Sequence, residues 1–180
     1  MSDWRKEAGF KNADEYLYIY YTAEACMKII NLVKAHNKEI GWNMTVKPYL
    51  DGYLVEDVFV YPQKVTGGSI TVNVPKWAIW KANLPEEIEA NLYGQGHSHV
   101  SMPTEPSGVD INQQKEEVLT KGKGFYFFEI VNKQGYANRF FYDIDNKIYY
   151  DNSKIITMVK GLDEFIINSF DHLEASNGSK

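Results

Sequence analysis

Two of the four histidines in this 180-residue chain stand two positions apart in Gly96-His97-Ser98-His99, and Ser107-Gly108-Val109-Asp110 follows after the seven residues 100–106. Side chains at i and i+2 of an extended segment project from one face, so the two imidazoles can converge on one point. The carboxylate of Asp110 would bring a third ligand to that point. Three nitrogen and oxygen donors with a fourth position left to water form the open arrangement of a catalytic zinc site, as opposed to the closed four-ligand arrangement of a structural one. The expected chemistry is hydrolysis by metal-activated water, and the rest of the chain must supply a general base and a substrate groove.

A structural reading stands beside this one. A lone histidine is more often a hydrogen-bonded structural residue than a ligand. Ser107 and Asp110, three apart, also read as a capping box opening a helix at Asp110-Ile111-Asn112-Gln113. The two readings of Ser107 and Asp110 are compatible, because a cap fixes the positions of both. The cap alone leaves unexplained why two histidines share one tripeptide just ahead of it.

Taken whole, HSHVSMPTEPSGVD resembles the metal-binding signature of the JAMM metalloproteases, also called the JAB or MPN-plus family. The shared pattern is His-x-His, seven residues, then Ser-x-x-Asp, and the Pro-Ser-Gly-x-Asp ending is similar to the prokaryotic and phage-type branch. The resemblance covers residues 16–151. It implies zinc held by His97, His99 and Asp110, with the Ser107 hydroxyl donating to the developing oxyanion. It further implies a general acid/base glutamate upstream, where the strand after the first helix begins. Glu39, in Lys38-Glu39-Ile40-Gly41-Trp42, stands in that place. Glu56 is the reserve, and the plain reading of Glu39 is an exposed carboxylate at a helix–strand turn. Glu105, within the motif loop, receives no role and is expected at the solvent-exposed rim.

The implied substrate is an isopeptide or C-terminal peptide bond at the tail of a ubiquitin-like or sulfur-carrier protein. Such a tail would lie along a strand edge, for which residues 53–74 are the candidate. Pairing into a homodimer is frequent in the family. Two other readings stay open: a hydrolase of a phage structural or cell-wall peptide, and a non-catalytic scaffold of the same fold. Scaffold relatives usually lack one or more ligands, and this chain has them all.

Composition narrows the partners. The net charge is −5 and the isoelectric point near 5.4, so no basic footprint points to nucleic acid or an anionic membrane. That weighs against a DNA-repair branch with a related Pro-Ser-x-x-Asp ending. Cys26 is the only cysteine, which excludes internal disulfides and multi-cysteine zinc sites, including the Pro-Cys-x-x-Cys of zinc deaminases. No apolar run is long enough to span a bilayer, and the charged start MSDWRKEAGFKNADEY does not read as a secretory signal. Cytoplasmic residence is the resulting expectation.

The elements that must position these residues are readable in order. A helical turn is expected around Trp4 and a strand over Tyr16–Tyr21. Thr22 should cap a helix over Ala23–His36 with Cys26, Met27, Ile29, Ile30 and Val33 as its apolar stripe. Cys26 there reads as a packed, inert thiol. Strands are expected from Glu39 to Val46, near Tyr53–Tyr61 and over Ser69–Val74, with Gly67-Gly68 between the last two. Helical segments should follow from Pro75 and from Asn83 to about Leu92, with Trp77 and Trp80 in the core. The motif strand spans Leu92–His99, and the helix from Ser107 ends near Thr120. Strands over Phe125–Val131, Ala137–Asp143 and Lys147–Tyr150 come next. Residues 154–173 read as one amphipathic helix, and 174–180 as an unstructured tail. This order predicts one α/β domain over 1–180, three-layer α/β/α around a central mixed β-sheet, which agrees with the JAMM-like (cytidine-deaminase-like) fold that the resemblance implies.

Overall fold

Leu17-Tyr18-Ile19-Tyr20-Tyr21 is dense in the β-branched and aromatic side chains that suit a pleated surface, and it forms a strand buried at every position but Tyr18. The computed structural model describes residues 3–66 and 69–161. Among them the strands are β1 (Lys11–Asn12), β2 (Leu17–Tyr21), β3 (Gly41–Tyr49), β4 (Gly52–Phe59), β5 (Gln63–Thr66), β6 (Ser69–Val72), β7 (Leu92–Ser98), β8 (Phe125–Val131), β9 (Ala137–Asp143), β10 (Ile148–Tyr150) and β11 (Ile155–Val159). The helices are α1 (Trp4–Glu7), α2 (Ala23–Ala35), α3 (Val74–Ala82), α4 (Glu86–Glu89) and α5 (Gly108–Lys121). Nine strands make one mixed sheet in the order β1-β10-β9-β8-β7-β3-β4-β2-β11, while β5 and β6 pair only with each other.

Both faces of the large sheet are covered, giving the expected α/β architecture. On one face Ala25, Ile29 and Val33 of α2 pack against Trp42, Met44, Phe127 and Phe141. On the other, Val118 of α5 and Trp4 of α1 pack against Phe128, Ile130, Phe140 and Tyr142. The alternation along β8 and β9 is what sorts these residues, since successive side chains of a strand point to opposite faces. Burying a large apolar side chain is worth ~1.5–3 kcal/mol, so this two-sided core fixes the register of the central strands.

The helix caps follow the sequence. The Thr22 hydroxyl accepts from Ala25 N at 3.1 Å to open α2. The buried stripe of α2 is narrower than expected: Met27 is 54% exposed and Ile30 37%, whereas Cys26 is half-buried against the core. Burial pushes the Cys26 thiol up, in keeping with an inert thiol.

Three expectations need correction. Residues 155–159 are a strand and not part of a helix: β11 pairs in parallel with β2, from Ile155↔Leu17 to Val159↔Tyr21. The run Ile-Ile-Thr-Met-Val fits both periods, and short apolar runs are ambiguous on pattern alone; the open edge of β2 decides, because pairing there satisfies its backbone groups. Lys154 closes a 3-10 turn over Asn152–Lys154, and Lys160 and Gly161 form a turn; residues 162–173 of that expected helix, the 174–180 tail and the Gly67-Gly68 turn lie outside the described residues. Trp77 and Trp80 are not core, since α3 buries none of its residues. Finally, β4 has no free edge, because it lies between β3 and β2; within 53–74 the edges belong to the β5–β6 pair. No described helix is long and apolar enough to cross a membrane.

Candidate metal centre

The motif strand β7 lies inside the sheet, antiparallel to β3 and parallel to β8, with His97 opposite Gly41 on one side and Ile130 on the other. His99 stands just past the strand end, but its N–H donates to the Val131 carbonyl at 2.9 Å. The extended path therefore continues, and His97 and His99 keep their common face. Gly96 is required by its neighbour: a Cβ there would lie 2.4 Å from Trp42 Nε1, and Trp42 is fully buried.

After His99 the chain turns back on itself. Val100 adopts a left-handed φ of 55°, an uncommon and strained state for a β-branched residue. Three backbone acceptors of this loop are held from outside or from its own base. Lys133 N donates to Val100 O at 2.7 Å, Asn132 Nδ2 to Met102 O at 3.0 Å, and His99 Nδ1 lies 2.6 Å from Pro103 O. A carbonyl can only accept, so the proton of that imidazole sits on Nδ1 and its Nε2 is left for a ligand bond, the usual outer-shell arrangement of a metal-binding histidine.

Asp110 arrives through the capping box. Its N–H donates to Ser107 Oγ at 3.3 Å, and Ser107 N donates to Asp110 Oδ2 at 2.6 Å, closing both halves of the motif at the start of α5. The carboxylate is thereby turned to the histidines. His97 Nε2 lies 3.2 Å from Asp110 Oδ1, and His99 Nε2 lies 3.5 Å from Oδ2. One donor atom from each residue falls within 4.8 Å of the other two. Ligand bonds of about 2.0–2.1 Å to a tetrahedral ion place neighbouring donors roughly 3.3–3.4 Å apart; each histidine lies close to that distance from one carboxylate oxygen, His97 from Oδ1 and His99 from Oδ2. The group could hold a metal ion.

Charge is concentrated here. Burial would raise the Asp110 carboxyl, but the hydrogen bonds with His97 and His99 outweigh it and hold the group well below the carboxylate range. The Asp110 contact raises the His99 imidazole against the opposing effect of burial, with the Pro103 carbonyl and the charges of Asp110 and Glu39 adding to it.

Glu39 is brought to the same place. It is buried, contrary to the plain reading of an exposed turn carboxylate, and with His97, His99, Ser107 and Asp110 it lines a cavity of about 440 Å³. No described residue donates a hydrogen bond to its carboxylate. Glu105 is exposed at the border of this cavity. Glu56 is not among the lining residues; it pairs with Lys47 on the exposed side of β4. His36 ends α2, bonded to Leu32 O at 2.9 Å. Sequence reasoning missed the carbonyl of Pro103 and the side chain of Asn132, which hold the loop. Neither residue type advertises such work, although two prolines in a seven-residue loop signal a constrained path.

No protein-family model matches the chain, and no curated protein matches it. In fold it is similar to the solution structure of protein DSY2949 from Desulfitobacterium hafniense, at 15% identity and a TM-score of 0.51, over 79% of this chain and 94% of that one. Likeness at that identity concerns the fold alone.

Proposed function

We propose that this chain is a zinc-dependent (iso)peptidase of the JAMM type. The observation that carries the reading is the gathering of His97, His99 and Asp110, with one donor atom from each within 4.8 Å of the other two, in one cavity with a buried glutamate and an available serine hydroxyl. Nitrogen and oxygen donors in a set of three suit zinc with an open fourth position. Bound there, zinc supplies a Lewis acid and lowers the pKa of water towards about 7.

The remaining work belongs to the chain. Glu39 accepts a proton from the attacking water and returns it to the leaving amide nitrogen. Ser107 Oγ already accepts from Asp110 N, and its O–H remains to donate to the carbonyl oxygen as negative charge develops on it. Asp110, locked by the cap, and His99, locked by Pro103, keep the donor set in place without rearrangement. The scissile bond proposed is one at the C-terminal tail of a ubiquitin-like or sulfur-carrier protein, presented in the cytoplasm. The β5–β6 pair, whose Ile70 and Val72 line the cavity, offers the strand edge for such a tail.

The test is cleavage of a panel of ubiquitin-like and sulfur-carrier proteins bearing C-terminal extensions, with zinc, with chelator, and with Glu39→Gln. Cleavage after the tail that disappears with chelator and with the variant is expected, while the variant keeps its zinc. Full activity of Glu39→Gln would remove Glu39 as the base. Stoichiometric zinc without cleavage of any panel member would turn the reading towards phage structural or cell-wall peptides.

A further inference from the structure

Gly41, opposite His97 on β3, is held from two sides. On one side the β7 ladder reaches it through Ser98 N, which donates to Ile40 O at 2.9 Å. On the other side its neighbour strand has run out, because the pairing of β3 with β4 begins only at Asn43↔Phe59. The Gly41 N–H and C=O that point to that side are both taken by one side chain. Gly41 N donates to Gln63 Oε1 at 2.7 Å, and Gln63 Nε2 donates to Gly41 O at 2.8 Å and to Tyr61 O at 3.0 Å. A carboxamide thus reproduces the donor–acceptor pair that the next strand would have offered. The space beside Gly41 is filled by Tyr61, since a Cβ there would lie 2.1 Å from the Tyr61 hydroxyl oxygen.

We propose that Gln63 is a positioning residue for Glu39, acting through the backbone of Gly41; the inference rests on the reading of Glu39 as the base. Glu39 is two residues upstream of the clamped glycine, at a point where no regular element holds the chain. Without the clamp, the segment keeps the β7 ladder on one side and the core packing of Ile40, and the backbone between Glu39 and Gly41 loses its hydrogen-bonded tether on the other side. Gln63 opens β5, and the β5–β6 pair is a separate sheet, so the clamp also ties that pair to the cavity its Ile70 and Val72 line. Misplacing a reacting group by about 1 Å can cost ~10²-fold in rate, which is the scale on which such a tether matters.

The experiment uses the full chain labelled with ¹³C at glutamate carboxyls and follows the Glu39 signal, assigned by Glu39→Gln, as Zn²⁺ is added. Wild type is compared with Gln63→Met, which keeps the length and loses the hydrogen bonds, and with Gln63→Glu, which keeps an acceptor for Gly41 N and loses the donor. The expected result is a Glu39 shift on zinc loading in the wild type that falls by more than about half in Gln63→Met and less in Gln63→Glu. Both variants should still bind one zinc, within a factor of about three in affinity, against the roughly 10–100-fold loss expected when a residue bonded to a ligand is removed. An unchanged Glu39 response in both variants would overturn the positioning role while leaving the base standing. Loss of zinc binding in both would make Gln63 a residue of the general fold and would overturn it too. A wild-type Glu39 signal indifferent to zinc would sink the base itself, and this inference with it.

Discussion

Gly96→Ala is the substitution whose consequence can be worked most directly from the geometry. The added Cβ would meet Trp42 Nε1 at 2.4 Å, Cε2 at 2.6 Å and Cζ2 at 2.8 Å. The indole is rigid and 0% exposed, so it has no solvent to swing into. The backbone cannot retreat either, because Gly96 pairs with Trp42 on β3 and with Glu129 on β8. Overpacking of a well-filled core costs about 1–3 kcal/mol, and three contacts under 3.0 Å with a fixed ring put this case at the upper end. The stiffer unfolded chain of alanine offsets ~0.4–1 kcal/mol of that, leaving a net loss of about 2 kcal/mol. For a domain of this length each kcal/mol is worth ~2–4 °C, so the Tm should drop by roughly 4–8 °C. Calorimetry on the metal-free protein reads the loss, and zinc titration should show weaker binding, since His97 is the next residue. Trp42→Phe supplies the control: the smaller ring makes room, so the double-mutant cycle should give a coupling of about 1 kcal/mol or more. A Tm unchanged to within about 1 °C, or the same loss in both backgrounds, would refute the steric argument.

Further outcomes concern the ligand set. Asp110→Asn should keep the helix cap, because an amide oxygen can still accept from Ser107 N, yet lose zinc affinity by at least ~10²-fold as the charged donor disappears; isothermal titration beside a thermal melt separates the two. In the metal-free protein the His99–Asp110 contact should show a definite pH window. His99 is raised, so its contribution is full below 6.5 and lost as pH rises through the folded value; Asp110 is lowered, so its contribution is full above 3.8 and lost in acid. The Tm difference between wild type and His99→Gln should therefore be largest between pH 3.8 and 6.5 and shrink on both sides. A difference that grew steadily towards alkaline pH would contradict that linkage.

What the sequence determined on its own was short in range. Two histidines at i and i+2 must share a face of a strand, and a serine three residues before an aspartate must close a cap if a helix starts there. Both arrangements lie within one or two turns of chain, where covalent geometry leaves little choice. That is why the shared face of the histidines and the Ser107–Asp110 cap were legible, as were the limits of β8 and β9, whereas the loop that brings the two together is held by Asn132 and Lys133 from further along the chain. The position of Glu39 was legible only through a family likeness; nothing local distinguishes it from any other glutamate after a helix. Tertiary structure alone buries it in the cavity, by pairing β3 with β7 across some fifty residues of intervening chain. The same holds for Gln63, an ordinary polar residue at a strand start until β4 ends short of Gly41 and leaves a donor and an acceptor unpaired. Ile155–Val159 makes the point from the other side. Its composition allowed helix or strand, and the vacant edge of β2 chose. Local pattern fixes which face a side chain takes, whereas long-range backbone pairing decides which faces meet, and that pairing depends on partners far away in the chain.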